Sequence, residues 1–147
     1  MSAPLLEVQD LPKHFEVGSP GLFGGQREVL RAVDGVSFEL ARGETLGLVG
    51  ESGCGKSTLS RTVMQLIPPT SGAVILNGEN LSALAPHEVR KRRLDFQMVF
   101  QDPYASLNPR MTVFSTLAEA ICQRHPELKR QRDALAEKVV ELMATVG

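Results

Sequence analysis

Gly50-Glu51-Ser52-Gly53-Cys54-Gly55-Lys56-Ser57, followed by Thr58, is the stretch whose residue types and spacing can do chemistry. It fills every fixed position of G-x-x-x-x-G-K-[ST], the Walker A pattern, in which backbone amides cradle phosphates. Chance supplies such a match in roughly one chain of this length in two hundred. A triphosphate carries several negative charges, so a backbone that wraps it must come close with its amides pointing inward. Side chains at Gly50, Gly53 and Gly55 would obstruct that approach. A helix beginning near Lys56 aims its unpaired amides and the positive end of its dipole at the same anion. In that arrangement Lys56 reaches the β- and γ-phosphates and the Ser57 hydroxyl coordinates Mg²⁺. Glu51, Ser52, Cys54 and Thr58 complete the loop, with Cys54 at a position on which the pattern makes no demand.

A loop of this kind needs a strand before it and a helix after it, and the sequence offers both. Ser37 to Leu40 and Thr45 to Val49 read as strands joined by a tight turn at Ala41-Arg42-Gly43-Glu44, and the second runs straight into the glycines. After the loop, Leu59, Val63 and Leu66 recur at helical spacing until Pro68-Pro69 denies the helix its amide donors. Upstream, Leu5 to Leu11 and His14 to Val17 read as short strands broken at Pro12, and Gly18 to Gln26 as a glycine-rich loop. Downstream, Ala73 to Leu76 is a strand ending at the turn pair Asn77-Gly78, and Leu94 to Phe100 is another apolar run of strand length. Pro86 to Arg93 reads as a short helix and Asp102 to Arg110 as a loop. Val113, Leu117 and Ile121 mark a further helix. Pro126 suits a first helical residue, and the stripe Leu135, Val139, Leu142, Met143 and Val146 reads as a core-facing side. Strand, helix and strands in this order favour an α/β sheet.

Bulk properties narrow the class. At 147 residues the chain fits one domain or a large part of one, and 42% hydrophobic with 22% charged residues is ordinary for a globular protein. Sixteen basic against seventeen acidic residues give a net charge of -1, so there is no overall field to attract nucleic acid. The run Arg90-Lys91-Arg92-Arg93 reads as a solvated face. Cys54 and Cys122 are too few for a disulfide framework or a metal ladder, which suits a reducing compartment. The first residues lack the pattern of a signal peptide, and no stretch approaches the ~18 apolar residues of a membrane span.

Walker A loops serve kinases, GTPases and motor ATPases alike, so further residues must decide. Arg31-Ala-Val-Asp-Gly-Val-Ser-Phe38, Gly43 to Thr58, Pro69-Thr-Ser-Gly72 and Met98-Val-Phe-Gln-Asp-Pro-Tyr-Ala-Ser-Leu-Asn-Pro-Arg-Met-Thr-Val113 resemble segments of ABC transporter ATP-binding subunits. The resemblance is specifically to those of the bacterial oligopeptide and dipeptide importers, and more to the second of their two paired ATPases than to the first. This implies the P-loop NTPase fold of ABC ATPases, an α/β class with an amino-terminal antiparallel β subdomain and the start of a helical subdomain. The resemblance divides the chain into residues 1–101, the β subdomain with the Walker A unit, and 102–147, the first helices of the helical subdomain. It makes the chain an incomplete domain.

The resemblance also implies roles. Gln101 matches the family's Q-loop glutamine, a catalytic and Mg²⁺-contacting residue that links the nucleotide site to the transmembrane partner. Lys56 is the catalytic lysine, Ser57 the other metal contact, and Phe15 falls where the family stacks an aromatic on adenine. The implied cofactors are ATP and Mg²⁺. The implied partners are transmembrane permease subunits, a second ATPase subunit in a head-to-tail dimer and, indirectly, an extracytoplasmic substrate-binding protein, with no nucleic acid. The implied setting is peripheral, on the cytoplasmic face of the bacterial inner membrane. The 147 residues contain no Leu-Ser-Gly-Gly-Gln signature and no apolar strand ending in Asp-Glu, and the family's later switch histidine is missing too. A complete subunit would therefore hydrolyse ATP to drive peptide import, whereas this chain alone is expected to bind nucleotide with little turnover. Nickel or another solute is an alternative cargo, and a truncated module that binds ATP without hydrolysing it is an alternative role. An unrelated kinase or GTPase would show an acceptor or guanine motif, and none appears.

Overall fold

The computed structural model describes residues 3–17, 28–102 and 107–147. The predicted loop Gly18 to Gln26 and residues 103–106 of the Asp102 to Arg110 loop lie outside them. The chain divides into two compact units, Met1–Gln97 and Met98–Gly147.

The first unit is built on a four-stranded antiparallel sheet of order β2-β1-β3-β4, with β1 Leu6–Val17, β2 Glu28–Leu40, β3 Ala73–Leu76 and β4 Glu79–Asn80. Where two strands broken at Pro12 were predicted, β1 runs through the proline. Its ladder with β2 slips between Val8 and Leu11, between Leu11 and Lys13, and again before His14. The first slip places three steps of β1 opposite two of β2, with Asp10 at φ 40, so Val8 and Leu11 both turn inward despite their odd spacing. Pro12 sits in this irregular stretch, where its missing N–H costs no regular ladder bond. Its carbonyl accepts from Thr70 N at 3.0 Å. The turn pair Asn77-Gly78 joins β3 to β4 with both residues at positive φ (51° and 80°), the geometry of a type I′ hairpin.

Helix α1, Lys56–Val63, lies against β1 and β2. It ends well before Pro68-Pro69. Gln65 takes a left-handed φ of 52°, Gln65 N bonds Thr62 O, and Leu66 N bonds Arg61 O, a Schellman stop completed by local hydrogen bonds. Val8, Leu11, Val33, Leu59, Val74 and Leu81 form the core, with Phe38, Val63 and Phe96 packed against it. Helix α2, Pro86–Arg92, buries Val89, and Glu88 caps it by accepting from Ala85 N at 2.9 Å.

Two predicted strands are not strands. Thr45 to Val49 and Leu94 to Phe100 have no ladder partner among the described residues, and Val49 and Val99 are 91% and 94% exposed. An apolar run becomes a strand only when a neighbour takes up its backbone donors and acceptors. The ordered sheet is accordingly antiparallel throughout.

The second unit holds helix α3, Val113–Arg124, a 3₁₀ segment Pro126–Arg130, and helix α4, Arg132–Val146. Thr112 caps α3 by accepting from Ser115 N at 3.1 Å. Pro126 opens the 3₁₀ segment, and the long helix starts six residues later. Of the predicted stripe, Val139 is buried, while Leu142, Met143 and Val146 are exposed. The stripe is therefore core only in its first part.

Candidate phosphate-binding site

Beta strand β2 ends in the predicted turn, where Glu44 N reaches Ala41 O at 3.2 Å and the Glu44 carboxylate accepts from Ala41 N at 2.7 Å. From there the backbone runs to Gly50 and folds into the loop. Gly55 is the N-cap of α1, at φ 94°, and no side chain caps the helix. The first intrahelical bond is Leu59 N to Gly55 O at 2.8 Å, so the amides of Lys56, Ser57 and Thr58 have no helical acceptor. Lys56, Ser57 and Thr58, with Ser52, Gly53 and Gly55, line an open depression of about 240 Å³. No acidic side chain lies in the first turn to oppose an anion there.

The two inner glycines are required for different reasons. A Cβ on Gly53, at φ 83°, would meet nothing within 4 Å, so only its backbone conformation excludes a side chain. A Cβ on Gly55 would lie 2.2 Å from the carbonyl oxygen of Ala32 and 3.7 Å from a Val33 methyl. The loop is thus seated on β2, and Ala32 and Val33 form its floor. Sequence reasoning missed that floor. The segment Arg31 to Phe38 had marked the resemblance, but nothing in residue type reveals that a backbone carbonyl there meets Gly55.

Lys56 Nζ donates to the carbonyls of Gly50 at 2.6 Å and Glu51 at 2.5 Å, and lies 3.6 Å from Cys54 Sγ. The ammonium therefore straps the start of the loop to the start of the helix. Ser57 is exposed at the rim, and Thr58 O accepts from the Thr62 hydroxyl at 2.8 Å. Gly50 through Thr58, all named from the sequence, come together in one continuous loop and helix start.

Phe15 and Gln101 are not part of this continuous segment. Phe15, half-buried on β1, is outside the core cluster, pairs with Leu30 of β2, and carries Lys13 Nζ 5.0 Å from its ring centroid. It is two residues along from Lys13, the ladder partner of the floor residue Val33. Gln101 is exposed and belongs to the second unit. The segment after it includes the residues outside the description.

A glycine loop seated on a strand, opening an uncapped helix with a lysine and a hydroxyl at its mouth, is the arrangement of a phosphate-binding P-loop. The family model described as "ABC transporter" matches residues 33–147, and the chain belongs to that family. It is similar to "Oligopeptide transport ATP-binding protein AppF" of Bacillus subtilis, at 50% identity over 97% of the chain and 43% of that protein. It is also similar to "Oligopeptide transport ATP-binding protein OppF" of Escherichia coli, at 47% identity over 97% of the chain and 42% of that protein. The chain thus spans less than half the length of these curated relatives. Among solved structures it resembles an "ATP binding subunit of ABC transporter" with a TM-score of 0.59 at 28% identity, covering 81% of this chain and 42% of that one. The dimeric ABC cassette MJ0796 shares the fold with a TM-score of 0.62 at 24% identity, over 77% of this chain and 45% of that one. Among the described residues no helix is long and apolar enough to cross a membrane.

Proposed function

We propose that Gly50 to Thr58 hold the phosphates of ATP, and that the protein serves as, or within, the ATP-binding subunit of a peptide-importing ABC transporter. The observation that carries the nucleotide reading is the set of acceptor-less amides at Lys56, Ser57 and Thr58, opening onto the depression beside the Lys56 ammonium. Glu51, Ser52, Gly53, Cys54 and Gly55 supply the backbone of that cradle. The Ser57 hydroxyl fits Mg²⁺, because it stands exposed on the first turn and makes no hydrogen bond among the described residues. The metal would neutralise charge between the phosphates. Phe15, on the strand beside the loop's floor, would stack on adenine. Gln101 would contact the metal region and link it to the membrane partner, with residues 1–101 and 102–147 as the two parts so joined. The peptide cargo rests on the relatives' names. Permease subunits, a second ATPase subunit and a peripheral place on the cytoplasmic face of the inner membrane follow from the same reading.

Titration calorimetry with ATP and Mg²⁺, on the wild type and Lys56→Ala, tests the loop. Losing the charge-assisted contact should weaken binding by about 1.5–3 kcal/mol. Unchanged affinity would remove the phosphate-loop assignment. A second reading is that this chain binds ATP without hydrolysing it. A phosphate-release assay on the same sample decides between binding alone and turnover.

A further inference from the structure

Lys13 sits on β1 opposite Val33, the floor residue whose methyl would lie 3.7 Å from a Cβ on Gly55. Side chains directly opposite one another in an antiparallel ladder stand on one face of the sheet, so Lys13 is on the face that carries the phosphate loop. Its ammonium lies 5.0 Å from the centroid of the Phe15 ring, within the ~6 Å of a cation–π contact, and strand alternation puts Phe15 on that face as well. The ladder slips here: one step of β1, from Lys13 to His14, faces two steps of β2, from Val33 to Arg31. Ala32 is the extra residue of that bulge, and its carbonyl is the one that meets Gly55. One irregularity therefore seats the loop and sets the Lys13–Phe15 pair beside it. Both side chains are half-buried, and Lys13 makes no hydrogen bond or ion pair among the described residues. The neighbouring charges are placed otherwise. His14 and Glu16 alternate to the opposite face, where Asp34 lies 3.6 Å from His14 Nε2 and 3.7 Å from Arg31 Nη1. On the loop face, Lys56 is held by the carbonyls of Gly50 and Glu51.

We infer that Lys13 occludes the face of Phe15 on which a nucleotide base would stack, so that the arriving base must displace the ammonium, an inference that rests on the reading of Phe15 as the adenine platform. Stacked rings sit with their centroids ~4.5–7 Å apart, which is the space the ammonium fills at 5.0 Å. Cation and base cannot hold it together. A base on an aromatic ring gains ~5- to 150-fold in binding, whereas a cation over an accessible ring gains only ~2- to 5-fold, so the base wins the exchange. The displaced contact nevertheless discounts the affinity for any nucleotide that stacks. A ligand with phosphates and no base escapes this discount, because it is held by Gly50 to Thr58 and leaves the ring covered.

Calorimetry of the chain with ATP and with inorganic tripolyphosphate, each with Mg²⁺, tests the contact. The ratio of the two affinities cancels any general effect of the lysine's charge on phosphate binding. In Lys13→Ala this ratio should rise about two- to fivefold over wild type, and in Phe15→Ala it should fall about fivefold or more. In the doubly substituted chain the ratio should equal that of Phe15→Ala alone. A fall in Phe15→Ala with no rise in Lys13→Ala overturns the occlusion and leaves the adenine platform standing, as does a rise that persists without Phe15. A ratio that Phe15→Ala does not change removes the platform and the occlusion together. Should Lys13→Ala fail to fold, proton spectra of the wild type decide: the Lys13 ε-methylene signal, shielded by the Phe15 ring in the free chain, must move on adding ATP and stay in place on adding tripolyphosphate. A signal that stays in place with saturating ATP overturns the occlusion.

Discussion

Replacing Gly55 by alanine isolates what the loop's seat on β2 contributes. At φ 94° a side chain in this region costs about 1–2 kcal/mol by conformation alone. The added Cβ would also stand 2.2 Å from Ala32 O, against the ~3.3–3.6 Å of a tolerable carbon–oxygen contact, so something must retreat by about 1 Å. Ala32 cannot retreat freely, because β2 is laddered to β1 and the next residue, Val33, is core. Overpacking of this kind costs about 1–3 kcal/mol more, giving a total near 2–5 kcal/mol. Gly53→Ala is the matched control, with a similar φ of 83° and open space around it, so it should lose only the conformational ~1–2 kcal/mol. Urea unfolding followed by circular dichroism gives both stabilities, and calorimetry with ATP gives both affinities. Gly55→Ala should be the larger stability loss, whereas Gly53→Ala, facing the depression, should lose more affinity than stability. Equal stability losses would refute the claim that Ala32 is the floor of the loop.

Leu11→Ala, in the bulged stretch of β1, should destabilise the fold by about 2–5 kcal/mol, while exposed Val29→Ala should stay within about 0.5 kcal/mol, both read from urea midpoints. The Arg92 fork holds the Glu79 carboxyl below its ordinary value. The stability this pair adds is therefore present above the ordinary carboxylate range and lost as pH falls through the folded value. The difference in urea midpoint between wild type and Glu79→Gln should shrink from pH 7 to pH 3, and a constant difference would dismiss the pair. In a complete subunit assembled with its membrane partners, Gln101→Ala should lower transport-coupled ATP turnover more than nucleotide affinity. Equal loss of both would argue against a coupling role.

Local features were legible in the sequence because local chemistry fixes them. Asn77-Gly78 reads as a hairpin turn since both residues tolerate positive φ, and both adopt it. The start of α1 at Lys56 follows from the glycine loop and the periodic leucines, and Ala73–Leu76 is the strand expected. The bulges that carry β1 through Pro12 were not legible. They depend on Asp10 N finding Ser37 Oγ at 2.8 Å, a contact 27 residues away that no local pattern announces. The early end of α1 was missed for the opposite reason. A glutamine in the left-handed region, closing a Schellman stop, carries no sequence signal as strong as the two prolines beyond it.

The predicted strand Thr45 to Val49 marks the limit of pattern reading. Its residues have the composition of a buried strand, yet Leu46, Leu48 and Val49 are exposed and no described segment pairs with them. The loop that follows is nevertheless formed, because it is held from other directions: Gly55 against the Ala32 carbonyl, Lys56 strapped to the carbonyls of Gly50 and Glu51, and α1 packed through Leu59 into the core. In this chain the cradle is held by contacts on its helix side. The helix start is docked on β2 through Gly55 and the Ala32 carbonyl. The nine residues of the candidate site form one contiguous run that can be named from its order alone, while the two residues that seat them, Ala32 and Val33, had to be found in space.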